Sequence, residues 1–351
     1  MPMILVLWLI MSLGGMSKDI SGHKPFTMDQ TLALRGICAV EIMLGHIGLA
    51  TGSMILYLNR KAGILFVGIF FLLSGYGVAY SADYKEGYLR HFLLVRASKM
   101  LLPAYFIKLI MSVIELFVLR CLGKPCIGVN LWDFIIGQNW YVWEQLFFYM
   151  LYWLAYKFVP KHIEITVSLI SVAFIWIAFV NGMDNPWYGS TLCFALGLYY
   201  YKYESGKLGE GNIIEHIFHN RGGIYCVFLV ALFLVLITSV AGFVFLGNSS
   251  VLGNPVARNV ASVSFCMIVI LLLYKFRIGN LISRCLGRCS YEIFLIHPYI
   301  LVILKEISVE SAWIVGIITV SITIIFSMTI YYLFHNCIWK ISVCKEKGHK
   351  D

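Results

Sequence analysis

Two residues that could bind an anion and move a proton lie on one apolar segment near the start of the chain. Arg35 precedes His46 by eleven residues, which is about three turns of an α-helix, so both side chains share one face roughly 16 Å apart along the axis. A guanidinium group binds phosphates, and an imidazole titrates near neutral pH. The pair predicts a site with an anion-binding mouth and a candidate general base deeper inside. The alternative is a buried histidine that donates to a carbonyl, beside an arginine that reaches the surface.

Further polar residues lie within other apolar segments. Glu144 and Trp140 open one segment and together resemble an aromatic sugar-binding cleft, although other helix ends at a membrane surface have the same composition. His297 is followed by a proline, which kinks a helix and can turn the imidazole toward a cavity. Ser74 and Gly75 are small enough to let a ligand, or simply a neighbouring helix, approach closely.

The cysteines do not predict a metal site. The chain has ten of them, mostly inside apolar runs, where cysteine behaves as a small hydrophobic residue. The two closely spaced pairs lack histidine or carboxylate neighbours at zinc spacing. We therefore expect neither a metal ion nor a tightly bound cofactor.

The composition indicates which kind of fold positions these residues. Sixty per cent of the 351 residues are hydrophobic, 13% are charged, and the mean hydropathy is +0.83. A soluble protein cannot bury that much apolar surface, and soluble domains have roughly 25% charged residues. These values exclude a disordered chain, a fibrous repeat and an ordinary cytosolic enzyme. Because the apolar runs are continuous and near 20 residues, they predict an all-α, polytopic membrane helix bundle rather than a barrel.

Ten apolar segments have a length suited to membrane spans. They are approximately 32–51, 63–81, 101–121, 139–158, 163–181, 188–203, 223–246, 257–275, 290–306 and 312–335. We divide the chain into an N-terminal extension (1–27), a transmembrane domain (28–340) and a cytoplasmic tail (341–351).

The distribution of positive charge predicts the orientation of the bundle. Twenty of the 27 Lys and Arg residues fall on the side that holds both termini, six fall on the other side, and Lys108 lies within a span. Cytoplasmic loops carry the excess of such residues. We expect a multi-pass protein of the inner or plasma membrane with both termini in the cytoplasm. The net charge of +9 then follows from topology, and it requires no nucleic acid partner. Arg35 would lie near the cytoplasmic surface and His46 near the middle of the membrane.

The order and spacing of these motifs resemble the acyltransferase 3 family of integral membrane acyltransferases, over about residues 28–335. The matching segments are Leu34–Cys38 with His46, Phe70–Tyr76, Arg96 with Lys99, Pro103 and Tyr105, Trp140 with Phe148 and Tyr149, and Ser290–Pro298. Two positions depart from the family pattern. Gln145 stands where many relatives have Glu, and Lys99 stands where Arg is common, which weakens a bidentate phosphate contact there.

The resemblance implies transfer of an acyl group, usually acetyl, from acyl-CoA to a hydroxyl of a surface polysaccharide, lipopolysaccharide or lipid-linked sugar. It implies a general-base role for His46 and donor phosphates bound by Arg35, Arg96 and Lys99. Ser74 and Gly75 would line the passage for the pantetheine arm, while Trp140, Glu144 and His297 are further candidates for substrate contact. A covalent acyl-histidine route is left open. The alternative function is a transporter or flippase for an anionic or sugar-linked solute.

Overall fold

The computed structural model describes residues 14–18, 24–53, 57–124, 139–207, 223–246 and 250–334. These ranges form eleven α-helices and one pair of two-residue strands. The helices are α1 (Met28–Thr51), α2 (Tyr57–Tyr84), α3 (Phe92–Cys121), α4 (Trp140–Phe158), α5 (Ile163–Val180), α6 (Leu192–Glu204), α7 (Gly223–Phe245), α8 (Ala257–Leu273), α9 (Leu281–Arg288), α10 (Ser290–Glu306) and α11 (Ala312–Leu333). The strands β1 (Ser17–Lys18) and β2 (Phe276–Arg277) pair antiparallel. The predicted tail, 341–351, and most of the predicted N-terminal extension lie outside the described residues.

The all-α membrane bundle is confirmed, but the count of ten spans is not. Seven helices in the described ranges are long and apolar enough to cross a membrane, and the bent pair α9 and α10 brings the total to eight if it forms one broken span. Helix α6 has only 13 residues, about 20 Å, against a hydrocarbon core of about 30 Å. Helix α4 has 19 residues, several of them Trp and Tyr, and is not among the seven. Helix α10 meets α9 at 77°.

Local capping interactions explain where two functionally placed helices begin. The side chain of Thr27 accepts a hydrogen bond from the backbone N–H of Gln30 at the start of α1, and the helix ends at Gly52 with φ +64°. Asn280 and Ser283 form a reciprocal capping box at the start of α9. The caps fix the first residues of two of the three helices that carry cavity-lining arginines.

Helices α1 and α9 approach at glycines. A Cβ atom at Gly36 would lie 2.1 Å from the carbonyl oxygen of Ser283, and one at Gly287 would lie 1.8 Å from the carbonyl oxygen of Leu32. Two glycines that each face the partner's backbone allow the close approach that small residues provide in membrane bundles. This contact positions α9, and with it the start of α10, directly against α1.

The buried core is built around α1 and α2. The apolar window of α1 is 72% buried within the protein and that of α2 is 56% buried, whereas that of α7 is only 6% buried. A helix that is apolar all round and little covered by protein must face lipid. Helix α1, which carries Arg35 and His46, is therefore an interior helix with neighbours on most sides.

Candidate active site

A cavity of about 730 Å³ lies among seven helices of the bundle. This volume falls in the range of small-molecule sites, roughly 300–1,000 Å³. The lining residues come from α1, α2, α3, α4, α9, α10 and the end of α11. They are Arg35, Phe70, Ser74, Arg96, Lys99, Met100, Pro103, Tyr141, Gln145, Tyr149, Arg288, Ser290, Tyr291, Glu292, Phe294, Tyr331 and Phe334.

Positive charge dominates the cavity. Four of its lining residues are cationic and one, Glu292, is acidic; the cations are Arg35, Arg96, Lys99 and Arg288. Sequence analysis predicted the first three of these cations as anion ligands, and the fold brings them to one cavity although they come from two helices. A cavity with this excess of guanidinium and ammonium groups attracts phosphate or carboxylate ligands.

Arg96 is held in place by aromatic residues. Its Nε donates to the hydroxyl of Tyr88 at 3.1 Å, and its Nη2 donates to the same oxygen. The guanidinium lies over the rings of Tyr88, Phe92 and Tyr149 at 5.7, 5.9 and 5.3 Å from their centroids. Such cation–π contacts and hydrogen bonds hold the charge at the cavity wall before any ligand binds.

Two charged residues of the cavity were not predicted as site residues. Arg288 entered it only as one of the charges that set the topology, and Glu292 entered only as a member of a matching motif. Glu292 is 6% exposed, and its Oε2 has no hydrogen-bond partner among the described residues. The glycine contact between α1 and α9 brings both residues to the cavity, and no local spacing in the sequence reveals that contact.

One face of α4 forms a wall of the cavity. Tyr141, Gln145 and Tyr149 recur at four-residue intervals, so they project from the same side of the helix. Glu144 lies one residue, or about 100°, round the helix from that face. Its carboxylate is 1% exposed, and Oε1 accepts a hydrogen bond of 3.1 Å from the hydroxyl of Thr191.

Glu144, a predicted candidate for substrate contact, is therefore buried and is not among the residues that line the cavity. The described contact of its carboxylate is with Thr191, the residue before α6. Trp140 contacts the ring of Tyr141 edge-on at 6.1 Å between centroids, but it does not line the cavity. Neither residue forms part of the cavity wall.

Ser74 and Gly75 are adjacent in α2, but only one of them lines the cavity. Ser74 lines the cavity, whereas a Cβ at Gly75 would lie 2.2 Å from the carbonyl oxygen of Phe194 in α6. Gly197 of α6 makes the matching contact with α2, since a Cβ added there would lie 2.1 Å from the carbonyl oxygen of Leu72. Gly75 packs against α6 and is not among the residues that line the cavity, so its predicted place in the donor passage has no support in the cavity lining.

The two histidines meet outside the cavity. Nδ1 of His46 lies 2.6 Å from Nε2 of His297, and Nδ1 of His297 lies 2.8 Å from the carbonyl oxygen of Ile293. Because a carbonyl only accepts, Nδ1 of His297 carries a hydrogen, and its Nε2 in the neutral ring accepts one from Nδ1 of His46. The remaining nitrogen, Nε2 of His46, then holds a lone pair and can act as a base.

His46 belongs to the C-terminal part of α1. It lies five residues before the end of α1, closer to the helix C-terminus than to the helix middle. Its side chain is partly exposed, whereas His297 is 0% exposed. His46 is thus the accessible member of the pair, and His297 is the residue that holds it.

An aromatic residue joins the cavity to the histidine pair. Phe294 lines the cavity, and its ring centroid lies 6.1 Å from that of His297 and 4.9 Å from that of Tyr141. The hydroxyl of Tyr291, one turn earlier in α10, donates to the carbonyl oxygen of Met100 at 2.8 Å and fastens α10 to α3. Helix α10 therefore contributes to the cavity at its start and to the histidine pair one turn later.

Comparison with known proteins agrees with this arrangement. A family model described as an acyltransferase domain matches residues 33–332, a range that contains both histidines and the four cavity cations. No curated protein and no solved structure matches the chain. Among the residues in the structure's described ranges, no group of three or more His, Cys, Asp or Glu side chains is arranged to hold a metal ion. Since the family model covers most of the chain, the protein belongs to the acyltransferase 3 family and is a multi-pass membrane acyltransferase.

Proposed function

We propose that this protein transfers an acetyl group from acetyl-CoA to a hydroxyl of a cell-surface polysaccharide or lipid-linked sugar. The observation that supports the proposal best combines two features: a cavity with four cations, and a histidine pair one aromatic ring away from it. The first feature suits the phosphates of a coenzyme A thioester. The second suits proton removal from an acceptor hydroxyl.

The cations of the cavity bind the donor in this proposal. Coenzyme A carries a 3′-phosphate and a diphosphate, and these need several basic groups in one place. Arg35 and Arg96 offer guanidinium forks, while Lys99 and Arg288 are more exposed and meet the ligand where it enters. The excess of Lys and Arg on the side of both termini predicts that this end faces the cytoplasm, where acyl-CoA is available.

His46 removes the proton from the acceptor in this proposal. The hydroxyl oxygen attacks the thioester carbonyl carbon while its proton passes to Nε2 of His46. The new C–O bond forms, the C–S bond breaks, and the proton then passes from the imidazole to the departing thiolate, which leaves as free CoA. His297 positions the base, because its contacts with Ile293 and His46 fix the ring orientation and the tautomer.

An assay with purified protein tests this proposal. The protein in lipid nanodiscs is given acetyl-CoA labelled in the acetyl group, together with bacterial surface glycans from which O-acetyl groups have been removed. We expect release of free CoA that depends on the glycan, and label recovered as an alkali-labile ester. Absence of both would contradict the proposal. Movement of an intact solute into sealed vesicles without CoA release would instead support the transport alternative.

A further inference from the structure

Gln145 is a buried amide on the cavity wall that the proposed chemistry does not yet use. It lines the cavity between Tyr141 and Tyr149, and it is 1% exposed. Both of its polar atoms, Nε2 and Oε1, lack a hydrogen-bond partner among the described residues. A primary amide can donate two hydrogen bonds and accept two.

Such a residue is costly for the fold. Most buried polar side-chain atoms in native proteins are hydrogen-bonded, and an unsatisfied one carries a desolvation penalty. Its neighbour Glu144, one position earlier, has a partner for Oε1 in Thr191, so only one of its two oxygens is unpaired among the described residues. An apolar side chain of similar size at position 145 would remove the penalty, so the amide is explained better by a ligand than by packing.

The position of Gln145 along the cavity indicates which part of a ligand it meets. Tyr149, Gln145 and Tyr141 lie about 6 Å apart in succession along α4. Tyr149 contacts the guanidinium of Arg96, and Tyr141 contacts the ring of Phe294 beside the histidine pair. A donor that is anchored by its phosphates near Arg96 and reaches toward the histidines passes Gln145 about half-way.

We propose that Gln145 is a positioning residue that binds the amides of the donor's pantetheine arm; this inference rests on the proposed use of acyl-CoA. The arm carries two secondary amides, and in each trans amide the N–H and the carbonyl point in opposite directions. Nε2 of Gln145 therefore donates to the carbonyl of one arm amide, and Oε1 accepts from the N–H of the other. The contact satisfies both unpaired atoms and fixes the depth at which the thioester stops.

Equilibrium binding to three proteins tests the assignment. Calorimetry in nanodiscs measures the Kd of coenzyme A and of adenosine 3′-phosphate 5′-diphosphate, which has all the phosphates and no arm. For Gln145→Leu we expect the Kd of coenzyme A to rise about tenfold or more, from the loss of two hydrogen bonds, with the Kd of the nucleotide unchanged. For Arg35→Ala we expect both Kd values to rise, because both ligands carry the phosphates.

Thermal unfolding separates a ligand contact from a structural role. Ligand-free Gln145→Leu is expected to unfold at the wild-type temperature or above, because the substitution removes two unsatisfied polar atoms. Gln145→Glu serves as the second variant, since it keeps the shape and one acceptor but loses the Nε2 donor, and we expect the same selective loss of coenzyme A binding.

Each adverse outcome has one meaning. Wild-type protein that does not bind coenzyme A overturns the proposed function, and this inference with it. Wild-type protein that binds coenzyme A no better than Gln145→Leu does overturns the inference alone. The same holds if Gln145→Leu binds coenzyme A normally but needs more acceptor glycan, because the amide would then contact the acceptor.

Discussion

Nδ1 of His46 lies 2.6 Å from Nε2 of His297, although 251 residues separate the two in the chain. The second contact of His297, with the carbonyl oxygen of Ile293, gives this pair a direction. His46 donates a hydrogen bond to His297, and His297 donates one to the backbone carbonyl. In the neutral pair, Nε2 of His46 therefore carries no proton. A histidine with neither nitrogen hydrogen-bonded could present a donor or an acceptor according to its tautomer. In the pair, the contact of His297 with the carbonyl oxygen of Ile293 decides which nitrogen of each ring carries the hydrogen.

His46→Ala should abolish acyl transfer without unfolding the protein. A general base contributes about 10²–10⁴-fold to the rate, and the partly exposed site of His46 tolerates truncation better than a fully buried one. The measurement is turnover per monodisperse protein in detergent. If the variant is well folded and keeps more than about a third of wild-type turnover, a rate loss of that size is too small for a general base and His46 is not one.

His297→Ala should slow transfer less than His46→Ala does, because it removes a positioning residue and leaves the base. We expect turnover to fall by roughly tenfold, with the dependence on donor concentration unchanged, since His297 does not line the cavity. His297→Gln is the matched control, because a glutamine Oε1 can still accept from Nδ1 of His46; it should recover part of the rate. If His297→Ala is inactive and His46→Ala is active, His297 is the general base and His46 is the positioning residue.

Arg35→Ala should weaken use of the donor more than it weakens folding. Loss of a hydrogen bond to a charged group is worth about 1.5–3 kcal/mol, so kcat/KM for acetyl-CoA should fall by about tenfold or more. Arg90, which is exposed and lies outside the cavity lining, is the matched control. Equal donor dependence in Arg35→Ala and Arg90→Ala would remove Arg35 from the donor site.

Gly75→Ala and Gly77→Ala should differ in stability. The new Cβ at position 75 would collide with the backbone of α6, whereas a Cβ at position 77 meets nothing within 4 Å. Overpacking of this kind costs about 1–3 kcal/mol, and Ala at an open helical position is favoured by up to about 1 kcal/mol. Thermal unfolding in detergent gives the comparison. A stable Gly75→Ala protein with impaired donor binding would instead show that Gly75 lines the donor passage.

A reporter fused after residue 351 tests the orientation. The ratio of twenty to six in Lys and Arg predicts that both termini lie in the cytoplasm. Alkaline phosphatase, which is active only in the periplasm, should therefore be inactive in this fusion, and a cytoplasmic fluorescent reporter at the same position should be bright. The reverse pattern would show that the bundle has the opposite orientation, with the cationic cavity at the other side of the membrane.

Local patterns were sufficient to predict most of the helices. Each of the ten predicted segments overlaps a described helix, because an apolar run near 20 residues has few other stable forms. What the runs do not determine is whether a helix crosses the membrane fully: the 13 residues of α6 and the 77° bend before α10 depend on tertiary packing. The span count was the part that was not confirmed.

The site was predictable where it depends on one helix and not where it depends on two. Arg35 and His46 follow from spacing within α1. Glu144 and Gln145 are adjacent, and sequence alone cannot decide which of them faces a cavity, because that choice needs the neighbours of α4. The contact of His46 with His297 required two distant helices to be side by side, and a motif list holds no information on that distance.

The glycine contact between α1 and α9 also bears on how such a protein changes over evolution. Arg35 and Arg288 belong to two helices whose separation is set by backbone against backbone at Gly36 and Gly287, so neither position can accept a side chain without moving both arginines. The wall formed by α4 is different, since α4 contains no glycine and so no backbone contact of this kind. Substitutions along that wall can alter which acyl donors fit while the charged end of the cavity is inherited unchanged.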